Sequence, residues 1–123
     1  MWTSRSEKGL TTAIEAIQNL RKSFQRDLKI PKKIDGINEE LEKAGRVADY
    51  LEIAELMCID ALSREESCGA HFRTEHQTID GEAIRNDETY NFISCWQKSE
   101  HGPVLIKETL DFEFTKPTER SYK

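Results

Sequence analysis

Basic charge, cysteine and long apolar runs are all scarce in this sequence, and each shortage excludes a class of protein. Lysine and arginine total 18 against 23 aspartates and glutamates, a formal net charge of −5. A nucleic-acid binder needs a basic face to neutralise phosphates. The one local cluster, Lys29, Lys32 and Lys33, reads as a solvated loop, so no nucleic acid is expected as a partner. No run of about 18 apolar residues occurs, and no membrane-spanning helix is expected. The stretch from Met1 to Gly9 is polar and charged, unlike a signal peptide. Cys58, Cys68 and Cys95 are odd in number and irregular in spacing, which suits free thiols in a reducing compartment rather than a disulfide framework. Glycine-rich phosphate loops, nucleophile elbows and kinase signatures are all missing.

Within 123 residues, 37% are apolar and 33% charged, which fits one domain, 1–123, with a modest core. Leu10, Ala13, Ile14, Ile17, Leu20, Phe24 and Leu28 recur at helical steps and form one apolar stripe. They predict a first helix over about 5–28, opened by a capping box of Ser4 with Glu7 and closed ahead of Pro31. A second helix is expected over about 36–68, with Asp35 as its N-cap and Gly69 as the left-handed residue ending it. Ile37, Leu41, Ala44, Ala48, Leu51, Cys58 and Leu62 trace one stripe along it. Val47, Tyr50, Ile53, Ala54, Met57 and Ala61 trace a second stripe alongside, so the helix needs neighbours on two sides.

Residues 70–89 have no clean period and read as an irregular connection. From Tyr90 the period changes to two. Two aromatic and β-branched runs around Gly102-Pro103 predict a hairpin over about 90–114, with Val104, Ile106, Leu110, Phe112 and Phe114 on one face. A polar extended tail, 115–123, follows. The predicted class is mainly α: an antiparallel helical bundle of spectrin-repeat kind, with a C-terminal β-hairpin. The short connection sets the two helices antiparallel, with Leu20 and Phe24 facing Leu41 to Val47. Phe92, Trp96, Ile106 and Phe112 are expected to cover part of the second stripe. Tyr50, Ile53 and Met57 then remain open or are buried by self-association as a homo-oligomer.

Three groups of residues have the types that chemistry needs. Cys68, His71 and His76 begin a zinc pattern with no second half at usable distance, so no metal is expected. Cys68 is expected to pack at the helix end, and His71 to bond nearby backbone. Glu55, Asp60, Glu65 and Glu66 read as a solvated helix face beside Arg64. Cys58, between Met57 and Ile59, reads as a small core residue. Pattern alone shows no active site.

One stretch goes beyond pattern. Ala61-Leu62-Ser63-Arg64-Glu65-Glu66-Ser67-Cys68-Gly69-Ala70-His71-Phe72-Arg73 resembles the A-L-x-R-x-E-S-R-G-A-H-x-R signature of succinate dehydrogenase and fumarate reductase flavoproteins. Gly9-Leu10 with Ala13-Ile14 and Ile17-x-x-Leu20 is similar to that family's first helix in this region. Val47-Ala48-Asp49-Tyr50-Leu51-x-x-Ala54-Glu55 is similar to its approach to the signature, and Arg120-Ser121-Tyr122 to its R-x-Y ending. Cys68 stands where many members have Arg, and Met1-Trp2-Thr3-Ser4-Arg5 resembles a shortened form of the turn before the first helix.

The resemblance implies the C-terminal helical domain of a flavoprotein subunit that interconverts succinate and fumarate through FAD. It implies packing on upstream FAD and capping domains, and electron exchange with an iron–sulfur subunit. The complex would be cytoplasmic and peripheral on the inner face of the cell membrane. The flavin attachment and dicarboxylate-binding residues lie upstream in such proteins and map onto none here. The isolated chain is therefore expected to hold no cofactor and to be inactive. The signature residues Arg64, Glu66, Ser67, Gly69, His71 and Arg73 are expected to serve interdomain packing. L-aspartate oxidase shares this architecture, and a free-standing helical interaction module is the alternative of another class.

Overall fold

A computed structural model of the chain describes residues 4–32 and 35–118. It is mainly helical with a C-terminal antiparallel hairpin: α1 Glu7–Asp27, α2 Glu39–Ser63, a single turn α3 Asp87–Tyr90, then β1 Phe92–Gln97 and β2 Val104–Thr109. The chain divides into two compact units. One is Lys8–Ile59; the other joins the start of the chain, up to Glu7, with everything from Asp60 onward. The Arg120-Ser121-Tyr122 ending, the Met1-Trp2-Thr3 start and Lys33 lie outside the described residues.

In the helical unit, α1 carries its apolar stripe at three- and four-residue steps and buries Leu10. Gln18 Nε2 donates to Glu55 Oε1 at 2.9 Å, and Arg21 pairs with Glu55 as well. These contacts fix the direction of the helices. From Gln18 to the end of α1 is about 14 Å, and from the start of α2 to Glu55 about 24 Å, at 1.5 Å per residue. An antiparallel pair leaves the connection about 10 Å to span; a parallel pair would leave about 38 Å, close to its fully extended reach. The connection is folded back, since Asn38 Nδ2 donates to the Pro31 carbonyl at 2.9 Å. The helices therefore run antiparallel. Leu20, however, is 55% exposed and does not face Leu41 to Val47. Gln18 and Arg21 define the face turned to α2, and Leu20, two residues after Gln18, projects to the far side of α1.

Both ends of α2 differ from the sequence reading. The N-cap is Asn38 and not Asp35: Asn38 Oδ1 accepts from Leu41 N at 3.3 Å. Gly36, at φ 80°, turns the chain out of helical geometry between the two candidates. At the other end the helix stops at Ser63, short of the expected 68. Ser67 N donates to the Ile84 carbonyl, and Cys68 and His71 exchange backbone bonds of 2.8 and 3.0 Å, which withdraws 67–71 from the helix. Gly69 does have positive φ, 58°, but it serves the tight turn between Cys68 and His71 rather than the end of the helix. Similarly α1 begins at Glu7 and not at 5, because Arg5 is held in a parallel bridge to Arg73.

The hairpin pairs Phe92 with Thr109 through Gln97 with Val104. Alternation puts Phe92, Ser94 and Trp96 on the more buried face and Ile93, Cys95 and Gln97 on the exposed one. Ile106 pairs with Cys95, so it lies on the opposite face from Phe92 and Trp96 and shares no cover with them. β2 ends at Thr109, short of the expected 114; Phe112 and Phe114 lie beyond it and are exposed. The stretch expected to be irregular contains α3, whose N-cap Asn86 accepts from Thr89 N.

Candidate functional site

The end of α2 sets the problem that the signature residues solve. A helix leaves its last carbonyls without partners and its C-terminus partly negative. The last turn of α2 contains no basic residue. The positive charge comes instead from Arg73, ten residues further on. Its Nη1 donates to the carbonyls of Ala61, Leu62 and Arg64 at 3.1, 3.3 and 3.3 Å. Arg73 is only 2% exposed. Its counter-ion is Glu75, whose Oε2 accepts from Nε at 3.2 Å. The other carboxylate oxygen of Glu75 accepts from Glu7 N, at the first residue of α1, at 2.9 Å. That backbone bond is the main reason the Glu75 pKa falls below the ordinary carboxylate value. One carboxylate thus serves the N-terminus of one helix and the arginine capping the C-terminus of the other. Glu75, and not Ser4, supplies the bond to the Glu7 amide.

Ser67 locks the backbone of Arg73 in place. It is fully buried; its Oγ accepts from Arg73 N at 2.8 Å and its hydroxyl donates to Arg73 O at 3.2 Å. Glu66, expected on a solvated face, is 3% exposed because it lies past the helix end and is turned inward. Its Oε1 accepts from Arg64 Nη1 and its Oε2 from Asn86 N, each at 3.0 Å. Arg64 then reaches the end of α3 and the start of the hairpin: Nη2 donates to Tyr90 O at 3.1 Å and to Phe92 O at 2.9 Å. Its guanidinium carbon also lies 4.9 Å from the centre of the Phe92 ring. Of the other carboxylates, Asp60 accepts from Trp96 Nε1 at 2.8 Å, Glu55 holds Arg21, and Glu65 is exposed.

His71 lies between Arg5 Nη1, 3.1 Å from Nδ1, and the Arg64 carbonyl, 3.2 Å from Nε2. Burial, the largest influence, holds its pKa below the ordinary histidine value. Cys68 is half-buried in the turn after the helix, and no group of His, Cys, Asp or Glu suited to a metal ion occurs among the described residues.

The structure therefore brings Arg64, Glu66, Ser67, His71 and Arg73 together in one charged network, with Gly69 in the turn that lets it close. The side chains of Arg64, Glu66, Ser67 and Arg73 are directed at partners within the chain. Ser67 has its hydroxyl committed to the Arg73 backbone, so what it does here is hold segments in position. Sequence reasoning missed Arg5 and Glu75, the long-range members. Arg5 stood only as the last residue of the turn resembling the family's and Glu75 only as a charge of fitting sign, and nothing in linear spacing shows a bond spanning more than sixty residues. Among curated proteins, none matches the chain. A family model described as fumarate reductase flavoprotein C-term matches residues 1–122.

Proposed function

The chain belongs to the fumarate reductase flavoprotein C-terminal family, and from that premise we propose that it is the C-terminal helical domain of a flavoprotein subunit interconverting succinate and fumarate through FAD. The match over residues 1–122 is the observation that carries this reading. The domain's own contribution is scaffolding. Arg73 and Glu66 are buried and bonded inside the chain, so neither is free to grip a dicarboxylate. FAD, the capping domain and the catalytic side chains belong to upstream parts of the subunit. Electrons pass between that flavin and an iron–sulfur subunit on the cytoplasmic face of the cell membrane. The network from Arg64 to Glu75 fixes the loop that the other domains pack against. By itself the chain binds no flavin and is inactive.

The test is to tag the C-terminus of this chain at its own locus and isolate the tagged species from membranes in mild detergent. Flavin absorbance, with succinate-driven dye reduction or fumarate-driven dye oxidation, supports the reading. Oxidation of L-aspartate instead would assign the related oxidase. A colourless tagged protein, inactive with all three substrates, would leave an interaction module as the function.

A further inference from the structure

We propose that His71 is a pH-sensitive latch for the segment preceding α1. That segment is joined to the loop after α2 by backbone and by side chain. Arg5 N donates to Phe72 O at 2.9 Å and Thr74 N donates to Arg5 O at 2.8 Å. Arg5 Nη1 lies 3.1 Å from His71 Nδ1. A guanidinium donates and cannot accept, so Nδ1 must be the acceptor and carries no proton. At the other side of the ring, Nε2 lies 3.2 Å from the Arg64 carbonyl, which only accepts, so Nε2 carries the proton. Two hydrogen bonds of opposite polarity thus require a neutral imidazole in one tautomer.

Protonation breaks this arrangement. A proton on Nδ1 would point at a donor, and two cations would stand in contact. The charged groups around the ring are Arg5 from the N-terminal segment, Arg73 from its own loop, and Glu66 from the stretch after α2. Burial acts first against the imidazolium, and Arg5 and Arg73 add to it; the Arg64 carbonyl and Glu66 oppose them. Glu66 is already engaged by Arg64 and by Asn86 N. The net result is a folded-state pKa below the ordinary value of about 6.5. Because the folded value is the lower one, the unfolded or opened form binds more protons in the window between the two. The latch is therefore fully closed above about pH 6.5 and is lost as the pH falls from there through the folded value. Glu75, with its pKa lowered, remains ionised through this window and keeps its bonds to Glu7 N and Arg73. Opening is thus confined to residues 4–6 against 72–74.

The test uses the labelled 123-residue chain. Imidazole nitrogen shifts of His71 and amide exchange at Thr74, whose N–H bonds to Arg5 O, are followed by NMR between about pH 4.5 and 8. The expected results are an Nε2–H tautomer at pH 7.5, a His71 titration below about 6.5, and a loss of Thr74 protection that tracks it. After correction for the intrinsic rate, that loss should reach about tenfold for a shift of one pKa unit. Arg5→Met should move the titration upward. His71→Gln, whose amide can accept from Arg5 and donate to Arg64 O, should make Thr74 protection independent of pH over the same range. An Nδ1–H tautomer, a titration at or above the ordinary value, or the same pH course for Thr74 in His71→Gln would each overturn the latch. If His71→Gln fails to fold, the wild-type titration and Arg5→Met still decide.

Discussion

In the helical unit Lys8–Ile59, Lys43 with Glu40, Arg46 with Glu42 and Arg26 with Asp27 form local, well-exposed pairs, while Arg21 with Glu55 joins the two helices. In the other unit Arg73, Glu66 and Ser67 are buried; Arg64–Glu66 and Arg73–Glu75 are local pairs, while Arg73 also reaches Ala61 O and Glu66 reaches Asn86 N. Val47, Tyr50, Ile53 and Met57 are exposed along α2, while Phe92 and Ala61 are buried beside the charged network. Exposed ion pairs contribute roughly 0 to 1 kcal/mol, whereas stripping a partner from a buried one costs about 3 to 5 kcal/mol. The specificity of this fold is therefore concentrated in a dozen residues after α2, the stretch whose sequence is most distinctive.

The largest expected effect follows from breaking that concentration. Arg73→Met removes the cap from three carbonyls, leaves Glu75 without its cation and keeps only the packing of the stem. A loss of about 3 kcal/mol or more is expected, read from the urea midpoint of the hairpin unit. Ser67→Ala is next. It leaves the Arg73 N–H buried without an acceptor and frees the Arg73 carbonyl of its donor, for about 2 kcal/mol. If both variants unfold at the wild-type midpoint, the network is incidental and the comparison fails.

How much of this was legible beforehand differs between the units. The 3.6-residue spacing from Leu10 to Leu28 and the two-residue alternation from Phe92 to Trp96 report local geometry, so both helices and the hairpin were readable. The ends were not. The exits at Ser63 and Arg5 are set by long-range partners, Ile84 O for Ser67 N and Phe72 O for Arg5 N, that no local window contains. Of the candidate site, resemblance singled out Arg64, Glu66, Ser67, Gly69, His71 and Arg73. It could not show that the arginine caps a helix, nor that Glu66 turns inward. The charge pattern pointed Glu66 outward, since a carboxylate beside exposed neighbours is ordinarily solvated.

A smaller effect sharpens the point about the turn. A Cβ at Gly69 meets nothing within 4 Å, so space does not select glycine there. Its φ of 58° does. Gly69→Ala should cost about 1 kcal/mol, a left-handed penalty with no packing component, and Gly69→Asn distinctly less. Equal costs for the two would mean that contacts, not backbone, select this residue.

The smallest effect on folding belongs to the apolar strip of the helical unit. Ile53 and Met57 are 54% and 61% exposed, so replacing both with Lys removes little buried area and keeps good helix formers in place. The change in stability should lie within about 0.5 kcal/mol, well below that of Arg73→Met. Association is where the pair should act. Val47, Tyr50, Ile53 and Met57 recur at three- and four-residue steps, so they form one continuous apolar strip. A strip of this kind on a free chain is expected to be covered by a second copy at high concentration. Placing two like charges per copy in its centre should convert that species to monomer, measured by sedimentation velocity over a hundredfold range of concentration. A wild-type chain that sediments as monomer throughout would remove self-association from the account and leave the upstream domains as the cover. A double variant that unfolds would show instead that the strip is buried within the chain's own helical unit.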